Sequence, residues 1–247
     1  MGKKNRKKKK VSANGKPFVS ICTPTYNRRR FIPFIIKCFQ AQTYPAELIE
    51  WIVVDDGTDP VGDLFEGVKG VKYFYQDEKM KLGKKRNYMH SKAKGDIIVY
   101  MDDDDYYPPD RVNHVVNRLR SQPKADACGS SAIYIYFHKQ KEIYLFGPYG
   151  PNHATAGTFG FWRRLLKETS YEDDAEMAEE KHFLKNYTIP FVQLNPMKSI
   201  LVFAHDANTF DKSRLLENPN PKYVKRTKLT PKNFIKDKEM VKFYTEQ

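Results

Sequence analysis

The chain has 247 residues, of which 40% are hydrophobic, including 16 Phe and 16 Tyr. This apolar content is enough for a folded core and excludes a chain that is disordered throughout. The net charge is +13, and seven of the first ten residues are basic, so more than half of the charge belongs to a short run that we predict to be a solvated tail over residues 1–16.

The cysteines and the N-terminal composition indicate a cellular compartment. Cys22, Cys38 and Cys128 are odd in number and far apart, which is typical of neither a disulfide framework nor a zinc site. A reducing compartment fits such a set. No apolar stretch follows the basic start, as a signal peptide would need, and no run is long enough to span a bilayer. We therefore expect a cytoplasmic protein whose tail could contact an anionic membrane surface or nucleic acid.

Strands and helices alternate in the first half of the sequence. Apolar runs bounded by turn residues predict strands at 18–22, 49–54, 71–75 and 97–101. Apolar residues at helical spacing predict helices from Ile32 to Phe39 and after Pro108-Pro109, and a basic helix is predicted at 84–93. Continuous apolar strands separated by helices favour a parallel sheet that is covered on both faces.

The second half has a different pattern. We predict a hairpin of strands 133–137 and 142–146, a helix over 175–186 within an acidic segment, and a strand at 200–203. From Asp211 onward the Lys-rich sequence predicts weak structure with a short helix near Phe234. The fold class is therefore α/β: a Rossmann-like, mostly parallel sheet at 17–120, a smaller α+β half at 121–210, and a basic extension at 211–247.

Acidic residues follow two of the predicted parallel strands. Asp55-Asp56 ends one strand and Asp102 to Asp105 follows another, while the first strand ends in Thr23 to Asn27. Ligands of open parallel sheets bind beyond the carboxyl ends of the strands. Adjacent carboxylates repel each other, and a divalent cation such as Mg²⁺ or Mn²⁺ relieves the repulsion. Basic residues between the two acid clusters, Lys84 to Arg86, could meet phosphate groups.

Four short segments together resemble family 2 glycosyltransferases, which have the GT-A fold. The segments are Pro24-Thr25-Tyr26-Asn27, Val53 to Thr58, Gly83 to Asn87, and Met101 to Asp105 followed by Pro108. Pro109-Asp110-Arg111 is also similar to a stretch in a bacterial spore-coat member. The resemblance covers about residues 17–210, and the order and spacing of the segments make it specific.

The resemblance implies roles for the matching positions. Asp102 to Asp104 match the Asp-x-Asp motif, so Asp104 would be a ligand of Mn²⁺ or Mg²⁺, and His205 would complete metal or diphosphate binding. Trp162 would pack on the acceptor sugar. From the residues alone, a core position for Trp162 and a hydrogen-bonded surface position for His205 stay open. The residues implied to bind the nucleotide are Pro24, Tyr26, Asn27, Asp56, Arg86, Asp102 and Asp103.

The family also uses a carboxylate as general base, usually the Asp of a Glu-Asp pair. Ala178-Glu179-Glu180-Lys181 stands at that place, so a Glu replaces the Asp and is longer by one methylene. The implied base is Glu180 or Glu179, with Asp174 as a further candidate. An ordinary exposed helix residue is the alternative reading of Glu180.

The function expected from these features is an inverting, metal-dependent transfer of a sugar from a nucleoside diphosphate sugar to a hydroxyl of a glycan or other acceptor. The favoured donor is a UDP-sugar. One alternative is a Mg²⁺-dependent nucleotidyl- or phosphotransferase, although the chain lacks the phosphate-binding motif G-x-x-x-x-G-K-[S/T]. Another is a nucleic-acid-binding protein, although acids at the strand ends would repel phosphate.

Overall fold

The computed structural model describes residues 15–176, 180–206, 208 and 210–246. A seven-stranded sheet forms the centre of the fold, with the strand order β3-β2-β1-β4-β8-β5-β9. The four strands predicted in the first half are all present. The strands of this sheet are β1 (Val19–Thr25), β2 (Ile49–Asp55), β3 (Val71–Tyr75), β4 (Ile97–Tyr100), β5 (Ala127–Gly129), β8 (Gly160–Trp162) and β9 (Phe191–Gln193).

The central sheet is mostly parallel. β3, β2, β1 and β4 run side by side in one direction, and only β8 runs against its neighbours β4 and β5. Every residue of β2 is buried, as expected for a parallel strand that is covered on both faces. The predicted α/β class is confirmed.

Helices cover both faces of the sheet. α1 (Ile32–Gln40) and α3 (Arg111–Ser121) pack in one apolar cluster with alternate residues of the strands. α2 (Leu82–Lys92) packs in the cluster on the other face. No helix in the described ranges is long and apolar enough to cross a membrane.

A second sheet of four strands lies beside the first, with the order β10-β6-β7-β11. It contains the predicted hairpin with unchanged bounds. An isolated bridge between Tyr106 and Leu201 connects it to the loop after β4. The loop that carries the acids is therefore held between the two sheets. The strands are β6 (Ile133–Phe137), β7 (Glu142–Phe146), β10 (Leu201–Ala204) and β11 (Val224–Arg226).

The C-terminal segment is more ordered than its composition suggested. It forms α5 (Pro231–Phe234) and α6 (Lys238–Thr245), and the carboxylate of Asp237 caps α6 by accepting from the backbone N–H of Met240. Tyr244 is fully buried and stacks on Phe203 at 4.2 Å between ring centroids. The prediction of weak structure was wrong here, because two apolar residues one helical turn apart dock the Lys-rich helix on the core.

The predicted helix over 175–186 is reduced to α4 (Glu180–Phe183) in the described residues. Ala175 is not helical, since its carbonyl accepts from the N–H of Gly83 at 3.0 Å. At the other end Lys185, Asn186 and Tyr187 all have positive φ angles, 49°, 55° and 62°. Three consecutive left-handed residues end the helix, and no Gly or Pro in the sequence marks this stop.

Candidate active site

The carboxyl ends of β1, β2 and β4 lie side by side at one edge of the central sheet. β1 lies between the other two strands, with Thr25 opposite Asp55 and Cys22 opposite Tyr100. The structure therefore brings together the polar residues that follow the three strands. They form a crevice edge at the position where parallel sheets bind ligands.

The two acids at the end of β2 have different roles. Asp55 is buried, and its carboxylate accepts from the N–H groups of Gly57 and Val61 and from the hydroxyl of Tyr73, at 2.6–3.0 Å. These bonds hold the turn after the strand. Asp56 instead points toward α2, where it pairs with the buried ammonium of Lys85.

The pair of Asp56 and Lys85 joins three strand-end segments. Lys85 also donates to the carbonyl of Thr25 at 3.1 Å, and the second oxygen of Asp56 accepts from the N–H of Met80 at 2.7 Å. The carboxylate of Asp56 is fully buried in this arrangement. Lys85, considered from the sequence as a phosphate contact, is thus engaged with a protein carboxylate.

The segment after β1 forms the wall next to Asp56. The ring of Tyr26 lies under two ammonium groups, with Lys79 Nζ at 4.3 Å and Lys85 Nζ at 5.9 Å from its centroid. Asn27 has a φ of 54°, and its side-chain oxygen accepts from the N–H of Thr58 at 2.8 Å. Pro24 lies within β1, opposite Val54. This tight turn brings Tyr26 to the crevice edge.

Arg86 lies deeper, on the buried side of α2. Its guanidinium lies 4.4 Å from the ring centroid of Tyr100 and 5.7 Å from that of Tyr171. The residue is 3% exposed. Burial between aromatic faces fixes the orientation of this cation, so Arg86 contributes positive charge under the crevice.

The loop after β4 begins with Asp102, which the protein holds by its backbone. The N–H of Asp102 donates to the hydroxyl of Tyr107 at 2.7 Å, and that hydroxyl donates to the carbonyl of Gly157 at 3.2 Å. A Cβ at Gly157 would lie 2.7 Å from a carboxylate oxygen of Asp102. A side chain at position 157 would therefore push the acid out of place.

Asp103 and Asp105 are buried acids whose pKa values lie well above the usual range. In both, burial is the main cause and the negative charge of Asp104 adds to it. Asp105 accepts from the N–H of Phe203 at 3.0 Å. One oxygen of Asp103, Oδ2, is buried and has no hydrogen-bond partner in the described part of the chain.

Asp104 differs from Asp103 and Asp105 because its pKa is lowered. Burial alone would raise its pKa, but the hydrogen bond of His205 and the charges of Lys212 and Arg28 outweigh burial and lower the pKa to about 2. His205 Nε2 lies 3.5 Å and Arg28 Nε lies 3.7 Å from Asp104 Oδ2. The ring of His205 stacks on Phe31 at 4.8 Å, which fixes its direction.

These residues fit a divalent cation of the Mg²⁺ type. Among the described residues there is no group of three His, Cys, Asp or Glu side chains that could hold a metal by itself. Mg²⁺ and similar ions, however, bind through one or two carboxylates together with substrate phosphates. A cation would satisfy the ionised carboxylate of Asp104 and the buried Oδ2 of Asp103, which has no hydrogen-bond partner in the described part of the chain.

The acidic segment of residues 171–176 lies against α2. The side-chain amide of Asn87 donates to the carbonyl of Tyr171 at 2.8 Å and accepts from its N–H at 3.0 Å. A Cβ at Gly83 would lie 1.9 Å from the carbonyl oxygen of Glu172, so only glycine permits this approach. The segment is thus fixed against α2, next to Arg86.

The three candidates for the base are placed differently. Glu180 is partly buried at the start of α4. Asp174 is 96% exposed at its side chain and lies 3.7 Å from Lys81. Glu179 lies outside the described residues.

Trp162 lies away from these groups. It pairs with Ile97, the first residue of β4, because β8 runs antiparallel to β4. Trp162 is therefore at the amino end of the parallel strands, opposite the acid loop. The structure does not bring it to the crevice.

Several residues at the site were missed from the sequence. Arg28 contacts Asp103 and Asp104, and Asn208 Nδ2 lies 3.2 Å from Asp104 Oδ2. Arg111 is fully buried below the loop and donates to the carbonyl of Phe159 at 3.0 Å. The only signal for Arg111 was its place in Pro109-Asp110-Arg111, and no pattern indicated the other two.

The model of the family described as glycosyl transferase family 2 matches residues 20–169, which is more than half of the chain and includes all three strand ends. The chain belongs to glycosyl transferase family 2. The matched range also includes the acid loop and the basic helix α2. The resemblance recognised from the four motifs is confirmed.

Curated relatives match about half of this family member. An uncharacterized glycosyltransferase of Rickettsia typhi is 31% identical over 134 residues, which are 53% of this chain and 41% of that protein. A glucosyl-dolichyl phosphate glucuronosyltransferase of Haloferax volcanii is 27% identical over 132 residues, 51% of this chain and 42% of that protein. The chain thus spans less than half of the length of these relatives.

Solved structures establish the GT-A fold. A mannosyltransferase from Pyrobaculum calidifontis, in complex with GDP-Man and Mn²⁺, superposes with a TM-score of 0.63 at 17% identity, over 78% of this chain and 59% of that one. TarS of S. aureus, in complex with UDP-GlcNAc, gives 0.61 at 19% identity, over 77% and 59%. The fold of this family 2 chain is therefore GT-A.

Proposed function

We propose that this family 2 chain transfers a sugar from a nucleoside diphosphate sugar to an acceptor hydroxyl with inversion at the anomeric carbon. The donor that we favour is a UDP-sugar. The observation that carries the proposal is the meeting of three groups at one sheet edge. They are the paired Asp56, the aromatic wall at Tyr26, and the ionised Asp104 beside His205. A nucleotide needs the first two groups, and a diphosphate with its cation needs the third.

The nucleotide would lie between β1 and α2. Tyr26 offers a ring face, and Asp56, whose buried carboxylate is fixed by Lys85 and Met80, would bind the base or ribose. Asn27 holds the turn that presents Tyr26, and Pro24 stiffens the strand before it. Asp102 and Asp103 would meet the ribose, and Arg86, whose guanidinium lies against the ring of Tyr100, would contact the nucleotide.

The diphosphate end would lie at Asp104 and His205. A bound Mn²⁺ or Mg²⁺ would neutralise the charge that grows on the leaving diphosphate. Two neighbours of this chain support a nucleotide-sugar donor, since one was solved with GDP-Man and Mn²⁺ and another with UDP-GlcNAc. Asp104 is suited to hold a cation because its lowered pKa keeps it ionised at neutral pH. Burial instead raises the pKa of its neighbour Asp103.

The acceptor hydroxyl would be deprotonated by Glu180. This residue is preferred to Asp174, whose carboxylate is nearly fully exposed and paired with Lys81. As the base takes the proton, the acceptor oxygen forms a bond to the anomeric carbon and the bond to the diphosphate breaks. One displacement inverts the configuration, and no covalent sugar–enzyme intermediate is required.

A screen of UDP- and GDP-sugars with Mn²⁺ tests the proposal. We expect slow hydrolysis of one donor group, release of a nucleoside diphosphate, and inverted configuration of the sugar by proton NMR. Asp104→Asn is the control and should lose the hydrolysis. Release of a nucleoside monophosphate would favour phosphoryl transfer, and failure with every donor would contradict sugar transfer.

A further inference from the structure

A second concave surface lies at the opposite edge of the central sheet, where β1 and β4 begin. It has a volume of about 480 Å³ and is bounded by residues that precede β1, end α3 and follow β8. Five of the bounding residues are basic. We call this surface the basic cavity and define it by Lys16, Arg120, Arg163, Arg164 and Lys167.

Two guanidinium groups of the basic cavity are each held by a hydrogen bond from Nε. Arg163 donates from Nε to the carbonyl of Gly95 at 2.6 Å, and Arg164 donates from Nε to Asp126 at 2.7 Å. Arg164 also lies 5.1 Å from the ring centroid of Trp162. Within the described residues the terminal amino groups of both arginines donate no hydrogen bond. These groups are therefore oriented and available, which suits the bidentate binding of phosphate oxygens.

Two further cations add positive charge to the cavity. Arg120 and Lys167 are exposed and form no ion pair with any residue that the structure describes. The acids nearby are Asp96, which lines the cavity, and Asp126, which is paired with Arg164. Positive charge is thus in excess. Such an excess in a concave surface attracts anions.

The sequence that precedes the first described residues is rich in basic residues. Seven of the first ten residues are Lys or Arg, and the chain reaches the fold at Gly15 and Lys16, which line the cavity. Clusters of about four to eight basic residues of this kind bind anionic lipid surfaces.

We propose that the basic cavity binds the phosphate groups of anionic lipids and so docks the protein on a negatively charged bilayer. The concave shape and the fixed guanidinium groups fit a single headgroup. Sites for single-stranded nucleic acid stack successive bases on several aromatic residues along a groove. Here one aromatic residue, Trp162, lines the cavity, and Arg164 lies over its ring.

The cavity is separate from the candidate active site. β1 has seven residues, and at about 3.3 Å per residue its two ends lie about 20 Å apart. Substitutions in the cavity should therefore leave nucleotide binding at the other edge unchanged. Lipid docking does not depend on the proposed sugar transfer, so the two can fail independently.

Sedimentation of the full chain with vesicles tests the proposal. We expect binding to vesicles of phosphatidylcholine with phosphatidylserine, weakening with salt, and no binding to phosphatidylcholine alone. Removal of the cavity charges should weaken binding by about fivefold per residue, and so by at least about a hundredfold for four of them. The cavity variant carries Arg120→Gln, Arg163→Gln, Arg164→Gln and Lys167→Gln.

A matched control removes four exposed lysines from the C-terminal segment and should bind within about tenfold of the parent protein. If both variants lose binding equally, or if neither loses it, the cavity is not a site and the proposal is wrong. Tighter binding to single-stranded RNA than to the vesicles, or binding to inorganic pyrophosphate but not to vesicles, would also overturn it. The control carries Lys225→Gln, Lys228→Gln, Lys232→Gln and Lys236→Gln.

A smaller variant guards against loss of folding. Arg163 and Arg164 make hydrogen bonds that their removal would break, whereas Arg120 and Lys167 make none in the described chain. The double variant Arg120→Gln, Lys167→Gln should unfold at the parent temperature and still bind the anionic vesicles at least about tenfold more weakly. Unchanged binding by this stable variant would contradict the proposal.

Discussion

Tyr244 tests whether the C-terminal helix is part of the folded domain. Its side chain is fully buried on Phe203, and its hydroxyl donates to the carbonyl of Asp105 at 3.1 Å. Removing such a ring leaves a cavity, and comparable aromatic-to-alanine changes cost about 3–5 kcal/mol. Tyr244→Phe keeps the ring and loses one hydrogen bond, which is worth about 1 kcal/mol. Urea unfolding should therefore rank the parent, Tyr244→Phe and Tyr244→Ala in this order of decreasing stability.

Tyr75→Ala is the matched control, because Tyr75 is 40% exposed at the end of β3. It should lower the free energy of unfolding by less than about 1 kcal/mol. The dependence on urea should keep the same slope in all variants, so that the midpoints report stability. If Tyr244→Ala and Tyr75→Ala lower the stability equally, α6 does not pack on the core as described.

Three further predictions concern buried charges and the base. The pKa of His90 is lowered by burial from 6.5 to about 3. Between these two pH values the unfolded state therefore binds a proton at His90 that the folded state does not bind. The free energy of unfolding is therefore unaffected by His90 above pH 6.5 and falls as the pH drops toward 3. In urea titrations between pH 7.5 and 5, the parent should lose about 2 kcal/mol more of this free energy than His90→Gln. Asp56→Asn leaves the buried Lys85 uncompensated, so it should lower the free energy of unfolding by about 3 kcal/mol, and an unchanged melting temperature would disprove the pairing. Glu180→Gln should slow sugar transfer by about 10²–10⁴-fold without changing nucleotide affinity, whereas Asp174→Asn should transfer at the parent rate, and the reverse result would move the role of base to Asp174.

The local pattern of the sequence predicted the core elements because their buried residues are apolar and recur at the spacing of a strand or a helix. The hairpin and β3 were predicted with the bounds that the structure has, since each is a short apolar run with turn residues at both ends. The ends of β1, β2 and β4 could be placed together from the rules for parallel sheets alone. These rules alone therefore predicted that the acid clusters lie at one edge of the sheet.

Contacts between distant parts of the chain could not be predicted in this way. The sequence leaves both an acceptor contact and a core position open for Trp162. The antiparallel direction of β8 places it beside Ile97, and a strand of three residues has no sequence pattern that predicts its direction. Arg28 reaches Asp104 because Asn27 turns the chain through a left-handed conformation. The docking of α6 depends on Met240 and Tyr244, which are two apolar residues in a Lys-rich segment.

The measurement that tests the proposed site most directly is calorimetry of UDP and GDP binding, with and without Mn²⁺, to the parent and to Asp104→Asn. We predict that the parent binds one nucleoside diphosphate more tightly in Mn²⁺. Asp104→Asn should lose this metal-dependent gain while its melting temperature stays close to that of the parent, because Asp104 lies in the loop after β4 and outside the apolar core. Equal affinities in both proteins, or an affinity that does not change with Mn²⁺, would contradict a donor site at the acid loop.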